Sequence, residues 1–168
     1  MADFLPAFES MILAEGGYVL HTVKVDRGGM TYAGISRKNW PQWGGWTTID
    51  YGDKPDAELV RSFYRANFWA PLQLDRVESQ DIARTLFDFA VNAGTGTAVK
   101  LAQITVGATP DGKVGPKTLA AINAADPDLF LARYALAKMA RYAQIVTRDR
   151  TQGKFLLGWL NRTLKEAA

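Results

Sequence analysis

Apolar residues recur at helical spacing over most of the chain, and one short stretch breaks the rule. Phe4, Phe8, Met11 and Ile12 form a stripe that predicts a first helix, with Asp3 to cap it and Pro6 tolerable in its first turn. Gly16-Gly17 ends that helix, which leaves Glu15 as its last side chain. Tyr18 to Val25 is rich in β-branched residues and reads as a strand. Asp26-Arg27-Gly28-Gly29 reads as a turn, and Thr31 to Ile35 as a short return strand. From Arg37 to Pro55 the pattern is loop-like, with Trp40, Trp43 and Trp46 among glycines and prolines.

Helical signals then take over. Asp53 or Asp56 starts a helix carrying Leu59, Val60, Phe63, Tyr64 and Phe68, stopped by Trp69-Ala70-Pro71. Ser79 caps the next, with Ile82, Leu86, Phe89, Ala90 and Ala93 inside and Gly94 at its end. A short helix over 97–106, one from Gly115-Pro116 through Ile122, and a long one from Asp126-Pro127 to Arg148 follow. The last helix, from Lys154 to Leu164, is expected to bury Phe155, Leu156, Trp159, Leu160 and Leu164. The fold class is therefore mainly α with a small β-hairpin.

Composition narrows the choices. With 168 residues and 48% apolar side chains, the chain is long enough for a real core. It has no cysteine, which excludes disulfides and thiolate metal sites. No basic leader precedes the first helix, and no run approaches a membrane span, so neither a signal peptide nor stable membrane insertion is expected. Charge is uneven. Residues 1–96 carry 9 basic and 12 acidic side chains, net −3; residues 97–168 carry 11 and 5, net +6. A basic C-terminal part fits an anionic partner, or simply a solvated helical surface. A nucleic-acid partner is not expected, because the first part is acidic and no recognition motif occurs.

Glu15 is the most informative polar residue. The negative end of the helix dipole opposes a carboxylate there, and an aromatic wall such as Tyr18 would oppose it further. For a lone glutamate, the ordinary alternative is a solvated helix end. Asp26 lies eleven positions later and Thr31 five beyond that, so a hairpin can fold both back toward the helix end. Such a set suits glycoside cleavage, in which one carboxylic acid protonates the leaving oxygen and a second group across the cleft places water. A carboxyl separation of about 6.5–9.5 Å would imply inversion. Asp26 reads equally well as a turn residue bonding its own backbone, and Thr31 as a plain strand residue. The tryptophan loop can stack on sugars or pack as a lid. His21, the only histidine, has no partner for a metal site. Gly94-Thr95-Gly96 lacks the context of a phosphate loop. No cofactor or metal is expected.

Six segments, in order, resemble one family. Glu15-Gly16-Gly17-Tyr18 resembles the E-G-G-Y motif of the N-acetylmuramidases of glycoside hydrolase family 108. Asp26 to Ile35 is similar to its D-P-G-G-x-T-x-x-G-I, Tyr64 to Pro71 to its Y-x-x-x-Y-W-x-P, and Phe87 to Gly94 to its F-D-x-A-V-N-x-G. Asp111 to Thr118 resembles the D-G-x-x-G-P-x-T turn of the small peptidoglycan-binding domain that usually follows, and Gly158 to Arg162 its closing G-W-x-x-R. Two features depart from the pattern. Arg27 stands where the family has proline, and Val19 to Val25 lacks its Asn/Asp/Pro character.

The resemblance implies a lysozyme-like α+β fold, with a muramidase domain over 1–96 and a closely packed helical peptidoglycan-binding domain over 97–168. It implies cleavage of the β-1,4 bond between N-acetylmuramic acid and N-acetylglucosamine. Glu15 would be the general acid, with Asp26 and Thr31 completing the catalytic set. Tyr18, Tyr32, Trp46, Asp88 and Asn92 are the candidate substrate-binding residues. A monomeric enzyme of phage endolysin type would be made in the host bacterial cytoplasm and act on glycan strands in the periplasm or cell wall. The competing readings are a lytic transglycosylase using Glu15 alone and a wall-binding adaptor without activity.

Overall fold

The computed structural model describes residues 1–22 and 29–167. The chain forms two compact units, one over Asp3–Ala70 and the other over Pro71–Ala168 together with Met1–Ala2.

In the first unit, helix α1 (Phe4–Ala14) starts where the Asp3 carboxylate accepts the Leu5 N–H at 3.0 Å. Its buried face carries Phe4, Ala7, Phe8, Met11 and Ile12, as the spacing predicts. It ends in a Schellman motif: the Gly17 N–H donates to Ile12 C=O at 2.8 Å and the Gly16 N–H to Leu13 C=O at 3.1 Å. Gly16 and Gly17 lie at φ +89° and +80°, a region closed to most side chains, which is why glycines follow Glu15.

Strands β1 (Leu20–Thr22), β2 (Met30–Tyr32) and β3 (Ile35–Ser36) form an antiparallel sheet in that order. His21 pairs with Thr31, and Thr31 with Ser36, so these three share one face; Tyr32 and Ile35 are buried on the other. The expected single return strand over 31–35 is in fact two strands. Ala33 (φ +49°) and Gly34 (φ +78°) form a two-residue turn between Tyr32 and Ile35, with both central residues at positive φ as in type I′. The expected loop over 37–55 contains a short helix, α2 (Gly45–Asp50).

Helix α3 (Ala57–Tyr64) is capped by the Asp56 carboxylate, which accepts the Glu58 N–H at 2.7 Å. It continues through a π-helical turn over Arg65–Trp69 and a tight turn over Ala70–Leu72. Aromatic rings bind this unit together: Phe4 meets Trp69, Phe8 meets Tyr64, and Tyr64 meets Phe63 and Phe68, with centroids 5.2–5.8 Å apart.

The second unit is helical. Helices α4 (Gln80–Ala93), α5 (Thr95–Thr105), α6 (Pro116–Asn123), α7 (Pro127–Arg148) and α8 (Gly153–Ala167) follow in order. Ser79 caps α4 and Asp126 caps α7 through side-chain oxygens, as expected. Helix α4 packs against α5 and α7, so the compact unit begins before α4 rather than at residue 97. The buried side chains of α4, Leu86, Phe89 and Ala90 among them, explain this: they are covered by the helices that follow.

The last helix turns Leu156, Trp159 and Leu160 inward to half-burial, as expected, but not two other residues of the expected face. Phe155 and Leu164 are exposed, while Thr163 is buried. Arg162 on the same helix reaches back to α4. Its Nη2 donates to Asp88 Oδ1 at 2.9 Å, its Nε to Oδ2 at 3.3 Å, and its Nη1 to Asn92 Oδ1 at 2.7 Å. Among the described residues no helix is long and apolar enough to cross a membrane.

Candidate active site

Glu15 caps α1 and is half-buried. Its backbone N–H still donates to Met11 C=O at 3.0 Å, so the side chain leaves a rigid helical turn rather than a loose end. The two-residue turn between β2 and β3 lies directly against it. A Cβ placed on Gly34 would sit 3.4 Å from Glu15 Cγ and 2.5 Å from the Tyr64 hydroxyl, so this glycine is required by space as well as by φ. Tyr64 is 1% exposed, and its hydroxyl donates to Ala33 C=O at 2.8 Å. Burial pushes the Tyr64 phenol far above its ordinary range, and the negative charge of Glu15 adds to the rise. Three elements therefore converge: the end of α1, the sheet turn, and the end of α3.

Ala33 itself is 1% exposed and in a left-handed conformation that costs an alanine energy. The Tyr64 hydrogen bond holds the turn in that shape. The sheet's first and second strands are joined to the same place, since the Ala33 N–H donates to Val19 C=O at 3.1 Å.

The other expected site residues fall in different places. Thr31 lies half-exposed on β2, three positions before Gly34, on the sheet face that also carries His21 and Ser36. Asp26 lies outside the described residues. Tyr18 is 38% exposed and neighbours Tyr32, whose phenol is pushed up first by burial and then by Tyr18.

Tyr32 and Trp46 are each 3% exposed, so little of either ring reaches the surface. Trp46 is occupied on its ring as well as its nitrogen. Its indole N–H donates to Trp40 C=O at 2.8 Å, and the Arg37 guanidinium lies 5.4 Å over its ring. Arg37 in turn grips Asp50 with two bonds of 2.7 Å, which holds the Asp50 carboxyl below the usual carboxylate range. Asp88 and Asn92 are engaged by Arg162 and tie α8 to α4 instead of standing ready for a glycan.

Two residues outside the expected site set, Tyr64 and Trp40, also border this region. Tyr64 reads in sequence as one more ring in an apolar stripe, and only its position in the Tyr-x-x-x-Phe-Trp segment marked it. Trp40 is the half-exposed ring of its loop. It meets Phe63 edge-on at 4.9 Å and lines a cleft of about 330 Å³ with Asn39, Gln42 and Asn67. Amides beside an exposed indole suit a sugar. Phe63 also touches Tyr64, so the cleft wall and the Glu15 neighbourhood share a ring contact.

A small antiparallel sheet on a mainly helical framework is the lysozyme-like fold class. Residues 8–94 match the family model described as Glycosyl hydrolase 108, and the chain belongs to that family. Residues 97–164 match the model described as Predicted Peptidoglycan domain. The chain is thus a hydrolase of peptidoglycan that acts on the cell wall. Among solved structures it is similar to Brucella abortus SagA, at 26% identity and a TM-score of 0.74, over 98% of this chain and 91% of that one. No curated protein matches it.

Proposed function

We infer that the chain is an N-acetylmuramidase that cuts the β-1,4 bond between N-acetylmuramic acid and N-acetylglucosamine, with Glu15 as general acid. The observation that carries this reading is the packing of Glu15 against the Gly34 turn and Tyr64. A proton donor must be held at a fixed place beside the glycosidic oxygen. Here the Schellman cap fixes its backbone, and the turn fixes its aliphatic stem. Thr31, one strand position from Tyr32 on the same β-element, and Asp26 are the proposed partners for water on the far side of the ring. The motifs shared with phage endolysins support release into the host wall as the setting.

Glu15→Gln tests the assignment. The variant should keep its fold, judged by an unchanged melting curve, and lose about 10²–10⁴-fold in the rate of lysis of purified sacculi. Native-rate lysis by the variant would remove Glu15 from the chemistry. Mass spectrometry of the released muropeptides should show reducing muramic ends; anhydro ends would make the enzyme a transglycosylase.

A further inference from the structure

The second unit contains a cleft that the cleavage reaction leaves unexplained. It lies between α4, α7 and α8, encloses about 410 Å³, and is lined by Asn92, Arg141, Tyr142, Ile145, Trp159 and Arg162 among others. We propose that this cleft binds a free carboxylate of the peptidoglycan stem peptide, with Arg141 as the anion-binding group, and so holds the enzyme on peptide-bearing wall.

The two guanidinium groups of the cleft differ in what they have available. Arg162 already faces Asp88 through two nitrogens and Asn92 through a third. Arg141 is half-buried and meets no carboxylate among the described residues. A partly desolvated guanidinium gains most from a planar anion, which it can grip through two N–H groups. The opposite requirement comes from the rings. Trp159 stacks on Tyr142 at 5.1 Å and 28°, which takes up one face of the indole. Ile145 adds aliphatic surface. A ligand that fits both sides has a carboxylate next to a small apolar group.

Stem peptides offer that combination, since they carry free carboxylates beside alanine methyl groups. The sugars of an intact strand do not, because there the lactyl carboxyl is held in its amide bond to the stem peptide. The wall of the cleft is also pre-set. The Arg162–Asp88–Asn92 cluster and the Tyr142–Trp159 stack are formed without ligand, so little ordering is needed on binding. The net +6 of residues 97–168 draws an anionic wall toward it. This inference rests on peptidoglycan as the substrate but not on Glu15 as the acid.

Co-sedimentation of the full chain on ice reads binding without reading hydrolysis. Sacculi should retain the wild-type chain more strongly than the same sacculi whose free stem-peptide carboxylates have been converted to amides with carbodiimide and ammonia. Arg141→Gln should weaken retention on untreated sacculi by about ten- to a hundredfold and leave the weaker retention on amidated sacculi unchanged. A soluble stem tripeptide should displace the wild-type chain, and its fully amidated form should not. Equal wild-type binding to both kinds of sacculi, native binding by Arg141→Gln, or equal competition by the amidated peptide would each overturn the proposal. If Arg141→Gln melts early, the competition with wild-type protein decides alone. A failure of Glu15→Gln to abolish lysis would leave these binding outcomes standing.

Discussion

At the scale of single residues, the site depends on a tyrosine hydroxyl. Tyr64 joins the Ala33 carbonyl to the end of α3 and stands beside Glu15. Tyr64→Phe removes the donor and leaves a buried carbonyl short of a partner, a loss of about 1–3 kcal/mol by chemical denaturation. The turn under Glu15 would then loosen, so kcat should fall more than KM rises. The phenol adds a pH signature. Its value lies above the ordinary 10.0, so its contribution to stability is complete below that value and is lost as pH rises through the folded one. Wild-type protein should lose stability above pH ~10, and Tyr64→Phe should lack that part of the loss. The place of Glu15 at the end of α1 was legible in sequence because two glycines and a helix stripe isolate it. Tyr64 was not, since an aromatic at an apolar position is ordinarily core. The burial of Tyr32 and Trp46 was not legible for the converse reason: residue type tells that a ring can stack, and only packing tells whether its face is covered.

Among the elements, the loop before α6 shows how a sequence motif becomes structure. Gln103 on α5 is 1% exposed. Its amide nitrogen lies 2.7 Å from Asp111 Oδ1, 3.0 Å from Lys113 C=O and 3.1 Å from Thr118 Oγ1, and its oxygen accepts the Gly112 N–H at 2.9 Å. The Asp-Gly-x-x-Gly-Pro-x-Thr segment is thus wrapped around one buried amide. The Gln103 amide first, and then the Lys113 N–H, hold the Asp111 carboxyl below the usual carboxylate range. A lowered carboxyl contributes its stability above the unfolded value and loses it as pH falls through the folded one. Gln103→Leu should therefore destabilise by about 1–3 kcal/mol at neutral pH and flatten the decline of melting temperature below pH ~4. Helix boundaries set by Asp3, Asp56, Ser79 and Asp126 were readable, because a cap is a local event. Helix α2 was not, since it has six residues and no side-chain cap. The middle of the α8 face, Leu156, Trp159 and Leu160, was readable from spacing, whereas the exposure of Phe155 and Leu164 near its ends was not.

For the whole molecule, family boundary and compact unit do not coincide. The matched hydrolase segment runs to residue 94, while α4 packs with the helices after it. A fragment ending at residue 96 would expose the side of α4 that carries Leu86, Phe89 and Ala90. It should aggregate, eluting in the void on size exclusion, whereas the full chain elutes as a discrete species; a soluble, cooperative fragment would contradict this packing argument. The mainly helical class with one small sheet was legible from periodicity alone. The packing of α4 with the later helices was not, because a helix that completes one family's sequence pattern can bury its apolar side against the helices that follow it. The turn at Ala33 and Gly34 carries one more consequence. Type I′ turns favour Asn-Gly, and alanine in the first position gives the ribbon little reason to close unaided. Excised as a peptide, residues 30–37 should give a coil spectrum by circular dichroism. Cross-strand amide protection in the intact enzyme should accordingly report whether the tyrosine clasp is shut, making that ribbon a built-in gauge of a competent catalytic lobe.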